Sequence, residues 1–506
     1  MSDICKNSPA NFAISQTTIN TGIIPPTLQG FGLLDFYQNA TVNNELYATW
    51  ADNTDTPAPF FQPVPIFRRG TFCPEEGKIK LHEQVAIPFP RFSDSTSVLE
   101  YAMSFNPKDP SNINISSTLT DINLLEQTPP ATHQFLVSAS FDKGDDWKTR
   151  HWDTNIFPGT FAVTDNVVTF DKFGNSWLVN IVNFAGIPFT FPVGLTIAIS
   201  TDGGKSYQPA ATIPPLPGFD YGFDYPQVTT GPDGLYITVD SLSFEGTVLA
   251  VVIFLPVQGK GKYGTPVTFT LDSLTNVIQE GVPTVASNGD LYISYYNNPP
   301  IGGTFQVLLV TIPKGSVGLT NKNILGPYLV AQTSMTSDPT TNTGLTSIQF
   351  QPVRGVGTNT STSIVFDDKK HRLFIFYADF MPGPLFGVST TTTQNMSLFL
   401  KWTDDNGKTF TGPIKINDVD QNNRCLQSIA LDSCTRNLFF TWYDCRADPT
   451  NLTARYFGAL LTRKEFKKLA KEVESTKSPS QIITITNPVV SEMVKKRTIS
   501  KKQQRM

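Results

Sequence analysis

Apolar and polar residues along this 506-residue chain are periodic on two scales. On the short scale, runs of aromatic and β-branched residues alternate with clusters of Asp, Asn and Gly. Such runs suit a pleated strand, and Asp-Gly, Asn-Gly or Gly-Asn turns suit tight hairpins. On the long scale one segment recurs six times: NNELYATWAD (43–52), GNSWLVNIVN (174–183), PDGLYITVDS (232–241), NGDLYISYYN (288–297), KHRLFIFYAD (370–379) and TRNLFFTWYD (435–444). Each copy opens on turn residues, continues through an apolar-aromatic pair, and most close on Asp or Asn. Several follow another short apolar run, such as TSIVFDD or SIALDS, so the unit is a hairpin.

The anchors Trp177, Leu235, Leu291, Leu373 and Leu438 lie 58, 56, 82 and 65 residues apart, enough for one four-stranded sheet and its loops. One such sheet cannot bury both faces. Stacked radially, the sheets bury each other and leave only short edges. The expected fold is therefore all-β: a six-bladed β-propeller of four-stranded antiparallel blades spanning 32–462. An insertion at about 53–132 in the first blade is expected to form a cap, lid or partner surface. Residues 1–31, with a strand near Ile14–Asn20, and QIITIT (481–486) are the candidates for a ring-closing strand. EFKKLAKEV (465–473) reads as a short helix with Phe466, Leu469 and Val473 on one face, within a basic C-terminal segment, 463–506, that ends in a disordered tail.

A second motif, S/T-x-D-x-G-x-x-aromatic, occurs as SFDKGDDW (140–147), STDGGKSY (200–207) and TDDNGKTF (403–410). Asp142, Asp202 and Asp405 can accept hydrogen bonds from turn amides. Gly144, Gly204 and Gly407 permit positive φ, and Trp147, Tyr207 and Phe410 pack the turn against its sheet. The motif is expected to join the third and fourth strands of a blade. It resembles the Asp box, or BNR repeat, of the sialidase superfamily over roughly residues 32–462. The resemblance implies a six-bladed propeller with the boxes on the outer rim, where they report fold rather than chemistry.

Sialidases of that fold clamp a substrate carboxylate with three arginines and use a Tyr nucleophile with a Glu, plus an Asp acid/base. A guanidinium fork meets a carboxylate bidentately. Their first-arginine signature, Phe-Arg-Ile-Pro, has no match here. The nearest text is IFRRG (66–70) and FPRF (89–92), with Arg68, or Arg91 beside Asp94, as drifted versions. Arg354 and Arg424 stand just before inner strands, Arg446 just after TWYDC, and Asp165, Asp224 and Glu280 at comparable strand starts. Together these six form a candidate central pocket for a sugar or an anionic group. Each also has a structural reading as an inter-blade hydrogen bond or rim ion pair, and Asp444 with Arg446 reads as a structural pair. No catalytic residue is assigned.

The four histidines are scattered, with no HxH or HExxH, and no CxxC pair exists, so neither metal nor cofactor is expected. There is no GxSxG elbow and no phosphate-binding GxxxxGK[ST] loop. Of Cys5, Cys73, Cys425, Cys434 and Cys445, the last three are close enough in sequence for one disulfide, with free buried thiols as the alternative. The chain carries a net charge of −4. The segment from Arg463 contributes about +8, leaving about −12 on the rest, so the acidic body is not expected to bind nucleic acid specifically. The first residues lack the basic and apolar regions of a Sec signal, and no run of 18 apolar residues offers a membrane span. The expected function is a binding or structural propeller with a glycan or protein partner, as part of a larger particle or surface layer. The alternatives are an exo-glycosidase of sialidase type and a virion structural protein. Oligomeric state is left open.

Overall fold

The structure is a computed structural model. It describes residues 11–15, 19–20, 39–42, 44–52, 64–73, 78–89, 96–121, 134–152, 163–183, 193–219, 222–243, 248–271, 277–298, 304–316, 324–336, 362–380, 396–419, 421–422, 424–448, 453–475 and 483–484. The described strands form seven antiparallel blades, not six.

Blade 1 is Asn39–Val42, Glu45–Asp52, Val64–Cys73 and Lys78–Ala86. Blade 2 is Thr96–Asn106, Asp109–Asp121, Gln134–Ser140 and Lys148–Trp152. Blade 3 is Val163–Phe170, Ser176–Asn183, Val193–Ser200 and Gln208–Ile213. Blade 4 is Gly222–Thr230, Gly234–Leu242, Val248–Gly259 and Val267–Thr270. Blade 5 is Val277–Val285, Leu291–Asn298, Thr304–Ile312 and Leu325–Thr336. Blade 6 is Ser363–Asp367, Arg372–Phe380, Met396–Thr403 and Thr411–Lys415. Blade 7 is Arg424–Leu431, Leu438–Asp444 and Thr453–Leu461, and its outer strand is Asn11–Ala13 from the other end of the chain. The first strand of each blade touches the first strand of the next, and blade 7 touches blade 1, so these seven strands ring a central channel.

The expected insertion at 53–132 is thereby corrected. It holds the third and fourth strands of blade 1 and the first two of blade 2. Blade 2 lacks the apolar-aromatic signature because its second strand, Asp109–Asp121, reads DPSNINISSTLTD. The residues facing blade 3 include Asn112, Asn114, Ser116 and Thr118, all buried. They are satisfied across the blade boundary: the Ser116 hydroxyl donates to the Asn166 carbonyl (3.0 Å), and the Asn166 amide donates to Thr118 Oγ1 (2.8 Å). A polar strand is buried here because polar partners meet it.

Elsewhere the second strands are buried on both faces. In blade 3, Trp177, Val179 and Ile181 join a cluster with Leu235 and Ile237 of blade 4. Their neighbours Leu178 and Val182 point the other way, into a cluster with Phe135 and Val137 of blade 2. Alternation along one strand thus glues a blade to both neighbours.

The first and last described segments attach to blades 7 and 6. Ile14 and Ser15 donate backbone hydrogen bonds to the Tyr456 carbonyl, at 2.7 and 3.1 Å. Ile483–Thr484 runs parallel to Thr411–Lys415 as an extra strand on blade 6. Between them lies the helix Arg463–Ser475, α1, whose Phe466 and Ala470 are buried on the rim. No helix among the described residues is long and apolar enough to cross a membrane.

Candidate functional site

Five of the seven first strands break register near their start, at matching heights: between Leu99 and Ala102, Thr164 and Val167, Asp224 and Gln227, Gln279 and Val282, and Cys425 and Ser428. A bulge re-aims side chains and strengthens local twist. At these bulges Asp165, Tyr225 and Leu426 hold positive φ of 49°, 55° and 53°. Outside glycine that conformation persists only where surrounding structure enforces it, and such residues cluster at functional sites.

The bulges of blades 3 and 4 bring two carboxyl groups together. The Tyr225 amide faces both, 3.1 Å from Asp224 Oδ1 and 3.4 Å from Asp165 Oδ2. The two carboxyls thus converge on one backbone amide. Burial raises Asp224 above the usual carboxylate range, against the opposing pull of the bonds from Asp165 and the Tyr225 amide. Asp224 is nevertheless exposed to solvent. Asp165 is half-buried. Asp240, in register with Asp224 across the first hairpin of blade 4, is buried beside them in the sheet.

The arginines named from sequence lie elsewhere. Arg424 is fully buried where blade 7 meets blade 6. It donates to Asp444 Oδ2 (3.2 Å) and to the carbonyls of Met396, Asn422 and Gln421 (3.0, 3.0 and 3.1 Å). Arg446 donates to Asp444 Oδ2 (2.7 Å), pairs with Asp418 (2.9 Å), and stacks its guanidinium 4.1 Å above Phe457. Trp442 Nε1 is a further donor to Asp444 Oδ2, at 2.8 Å. Burial works against ionisation of Asp444, but Arg424 and Arg446 hold it below the usual range. Arg68 is mostly buried, which pushes its pKa down to about 10. It donates to the His82 carbonyl (2.8 Å) and to the Ile14 carbonyl, tying blade 1 to the N-terminal segment. Arg354, Arg91 and Asp94 lie outside the described residues, as does the side chain of Glu280, whose backbone sits at the bulge of blade 5.

The three S/T-x-D-x-G turns each connect the third strand of a blade to the fourth, in blades 2, 3 and 6. Ser140, Ser200 and Thr403 donate to Asp142, Asp202 and Asp405 at 2.8, 2.8 and 2.7 Å. The same hydroxyls accept from Gly144, Gly204 and Gly407 at 2.8, 2.8 and 3.0 Å. Each Asp also accepts a turn amide, from Asp146, Ser206 or Thr409, at 2.9 Å. Burial opposes ionisation of these carboxyls, but the hydrogen bonds hold all three below their ordinary range. Each turn is pressed against the preceding blade. A Cβ on Gly144 would lie 2.1 Å from Phe67, on Gly204 2.3 Å from Asn114, and on Gly407 2.7 Å from Leu309. Trp147 and Tyr207 are buried, and Phe410 packs against the core.

Cys73 is disulfide-bonded, and Cys434 is exposed and Cys445 buried. Asn39 and Asn114, each heading an Asn-x-Ser/Thr triplet, are buried within the sheets. Among the described residues no group of three His, Cys, Asp or Glu is placed to hold a metal ion.

Fold and site together define the class: a seven-bladed β-propeller whose third and fourth blades bring two carboxyl groups to one backbone amide. No protein-family model matches the chain, and no curated protein matches it. Among solved structures it is similar to a protein of unknown function from Dyadobacter fermentans, with a TM-score of 0.43 and 12% identity, covering 74% of this chain and 97% of that one. It is also similar to a PL25 ulvan lyase, a polysaccharide lyase, with a TM-score of 0.48 and 10% identity over 89% of this chain and 98% of that one. A third is the Trypanosoma rangeli sialidase bound to the inhibitor DANA, with a TM-score of 0.42 and 11% identity. That match covers 92% of this chain, which spans 62% of the sialidase's length. At these TM-scores the likenesses carry no argument about chemistry.

Proposed function

We propose that this chain is a glycan-binding propeller that holds a neutral sugar in its central channel through Asp165 and Asp224. The observation that carries the reading is the pair itself, two carboxyls meeting at one amide with Asp224 exposed to solvent. Two carboxyl groups side by side accept hydrogen bonds from the adjacent hydroxyls of a sugar diol. An anionic sugar would need unspent cations at the same place. Among the described arginines named from sequence, Arg68 is committed to carbonyls, Arg424 to carbonyls and Asp444, and Arg446 to two carboxylates, which favours a neutral ligand.

The test is a glycan array alongside a panel of fluorogenic aryl glycosides that includes a sialoside. Binding of neutral glycans without turnover, weakened at least tenfold by Asp224→Ala, is the expected result. Turnover abolished by the same substitution would replace the reading with a glycosidase. Binding indifferent to both Asp165→Ala and Asp224→Ala would remove the site.

A further inference from the structure

Asn180, in the second strand of blade 3, stands at the centre of a buried polar row. Its neighbour on the third strand is Thr196. On the first strand Val167 faces Val179 and Thr164 faces Ile181, so the bulge sets both Asp165 and Asn166 opposite Asn180. Asn166, Asn180 and Thr196 are all fully buried. Strand alternation turns the three toward blade 2. Val168, Leu178, Val182 and Ala198, each two positions from a member of the row, join Phe135 and Val137 of blade 2 in one apolar cluster. Asn166 itself donates through Nδ2 to Thr118 Oγ1 of blade 2, at 2.8 Å.

Most of the row is unmatched by protein. Among the described residues, none makes a hydrogen bond with Asn166 Oδ1, with Asn180 Oδ1 or Nδ2, or with Thr196 Oγ1. A side-chain amide carries two donors and an oxygen that accepts twice, and a hydroxyl both donates and accepts. Burying such groups without partners is unfavourable, so in folded proteins they are met by protein or by an enclosed water. Asn112, farther along the same blade boundary, follows that rule by donating to the carbonyls of Ser140 and Gly203 at 3.1 and 3.0 Å. Asn180 departs from it at both ends of its amide.

We infer that blades 2 and 3 enclose an internal hydration site, in which ordered water bridges Asn166, Asn180 and Thr196 at the back of the bulge that carries Asp165. The row suits water because it mixes donors with acceptors on three neutral side chains, whereas an ion would call for charge of one sign. An enclosed water makes about three hydrogen bonds, and the row offers them from residues adjacent across three strands. A bulge leaves its extra residue outside the ladder. Water between Asn166 and Asn180 ties that residue back to its sheet, which helps hold Asp165 at its positive φ of 49°. The inference rests on the unpaired atoms and the register, and stands whether or not the channel binds a sugar.

The test is a high-resolution crystal structure of the full chain, joined to oxygen-17 relaxation dispersion of water, which counts long-lived internal waters in solution. The crystal should show water within about 3 Å of the Asn180 amide and of Thr196 Oγ1 or Asn166 Oδ1. Asn180→Leu, which fills the place with an apolar side chain, should lose at least one long-lived water from the dispersion amplitude. An Asn180 amide bonded directly to Thr196 and Asn166, or to another side chain, with no water beside it, would overturn the inference. So would a folded Asn180→Leu variant with the same count of long-lived waters as the parent. If that variant does not fold, the parent crystal structure decides alone.

Discussion

Tyr443 of blade 7 and Ala51 of blade 1 bond in both directions: the Tyr443 hydroxyl accepts the Ala51 amide at 3.0 Å and donates to the Ala51 carbonyl at 3.2 Å. The first and last blades are thus stitched through one buried phenol. Tyr296 of blade 5 makes the same pair of bonds to Ala378 of blade 6, at 3.0 and 2.8 Å. Tyr443→Phe strands a buried amide and a buried carbonyl and should lower the unfolding free energy by about 2–4 kcal/mol. Tyr296→Phe should cost about the same, both read from urea denaturation midpoints.

Arg424 and Asp444 are a buried pair with several shared partners. Removing one partner leaves the other buried and under-compensated. Arg424→Met should therefore destabilise by about 3–5 kcal/mol. Arg446→Met, at a half-buried site, should cost less. Neither should alter glycan selectivity, since both residues belong to the junction of blades 6 and 7. A loss of binding in Arg424→Met that exceeds its loss of folded protein would contradict that assignment.

Gly204 and Gly315 separate backbone strain from crowding. Both hold positive φ, 94° at Gly204 and 78° at Gly315. A Cβ on Gly315 meets nothing within 4 Å, whereas on Gly204 it meets Asn114 of blade 2 at 2.3 Å. Gly315→Ala should cost about 1–2 kcal/mol, the left-handed penalty alone. Gly204→Ala should cost at least twice that, because it also pushes blade 3 from blade 2. Thermal unfolding of the two variants decides it.

The carboxyls divide into two groups with opposite pH behaviour. Asp224 titrates higher in the folded chain than unfolded, so its stabilising contribution is complete below about pH 3.9 and is lost as pH rises through the folded value. Asp142, Asp202 and Asp405 titrate lower when folded, so theirs is present above about pH 3.9 and lost as pH falls through the folded values. Asp224→Asn should remove the decline on the alkaline side and be more stable than the parent at pH 8. Asp202→Asn should shrink the decline on the acid side. Denaturation midpoints from pH 3 to pH 8 test both signs.

The propeller was legible because strands buried on both faces leave long apolar-aromatic runs, such as LFFTWYD at Leu438–Asp444. The seventh blade was not, because Asp109–Asp121 is buried through Asn, Ser and Thr that find partners only once blade 3 is in place. Asp165 and Asp224 were visible as strand-start acids. Their pairing was not, since it depends on bulges that bring residues far apart in sequence to one amide. A polar residue interrupting an apolar run at the same height in successive repeats was the available signal. Arg424 looked like a channel residue for the same positional reason, but it points into the blade junction, where Asp444 and three carbonyls absorb it.

The most direct measurement is a crystal structure of the protein soaked with a neutral oligosaccharide taken from the glycan array. A sugar ring in the channel with hydroxyls within about 3 Å of Asp165 and Asp224 is the expected result. A sugar bound on the outer rim, or at the channel through arginines with the two aspartates untouched, would contradict it.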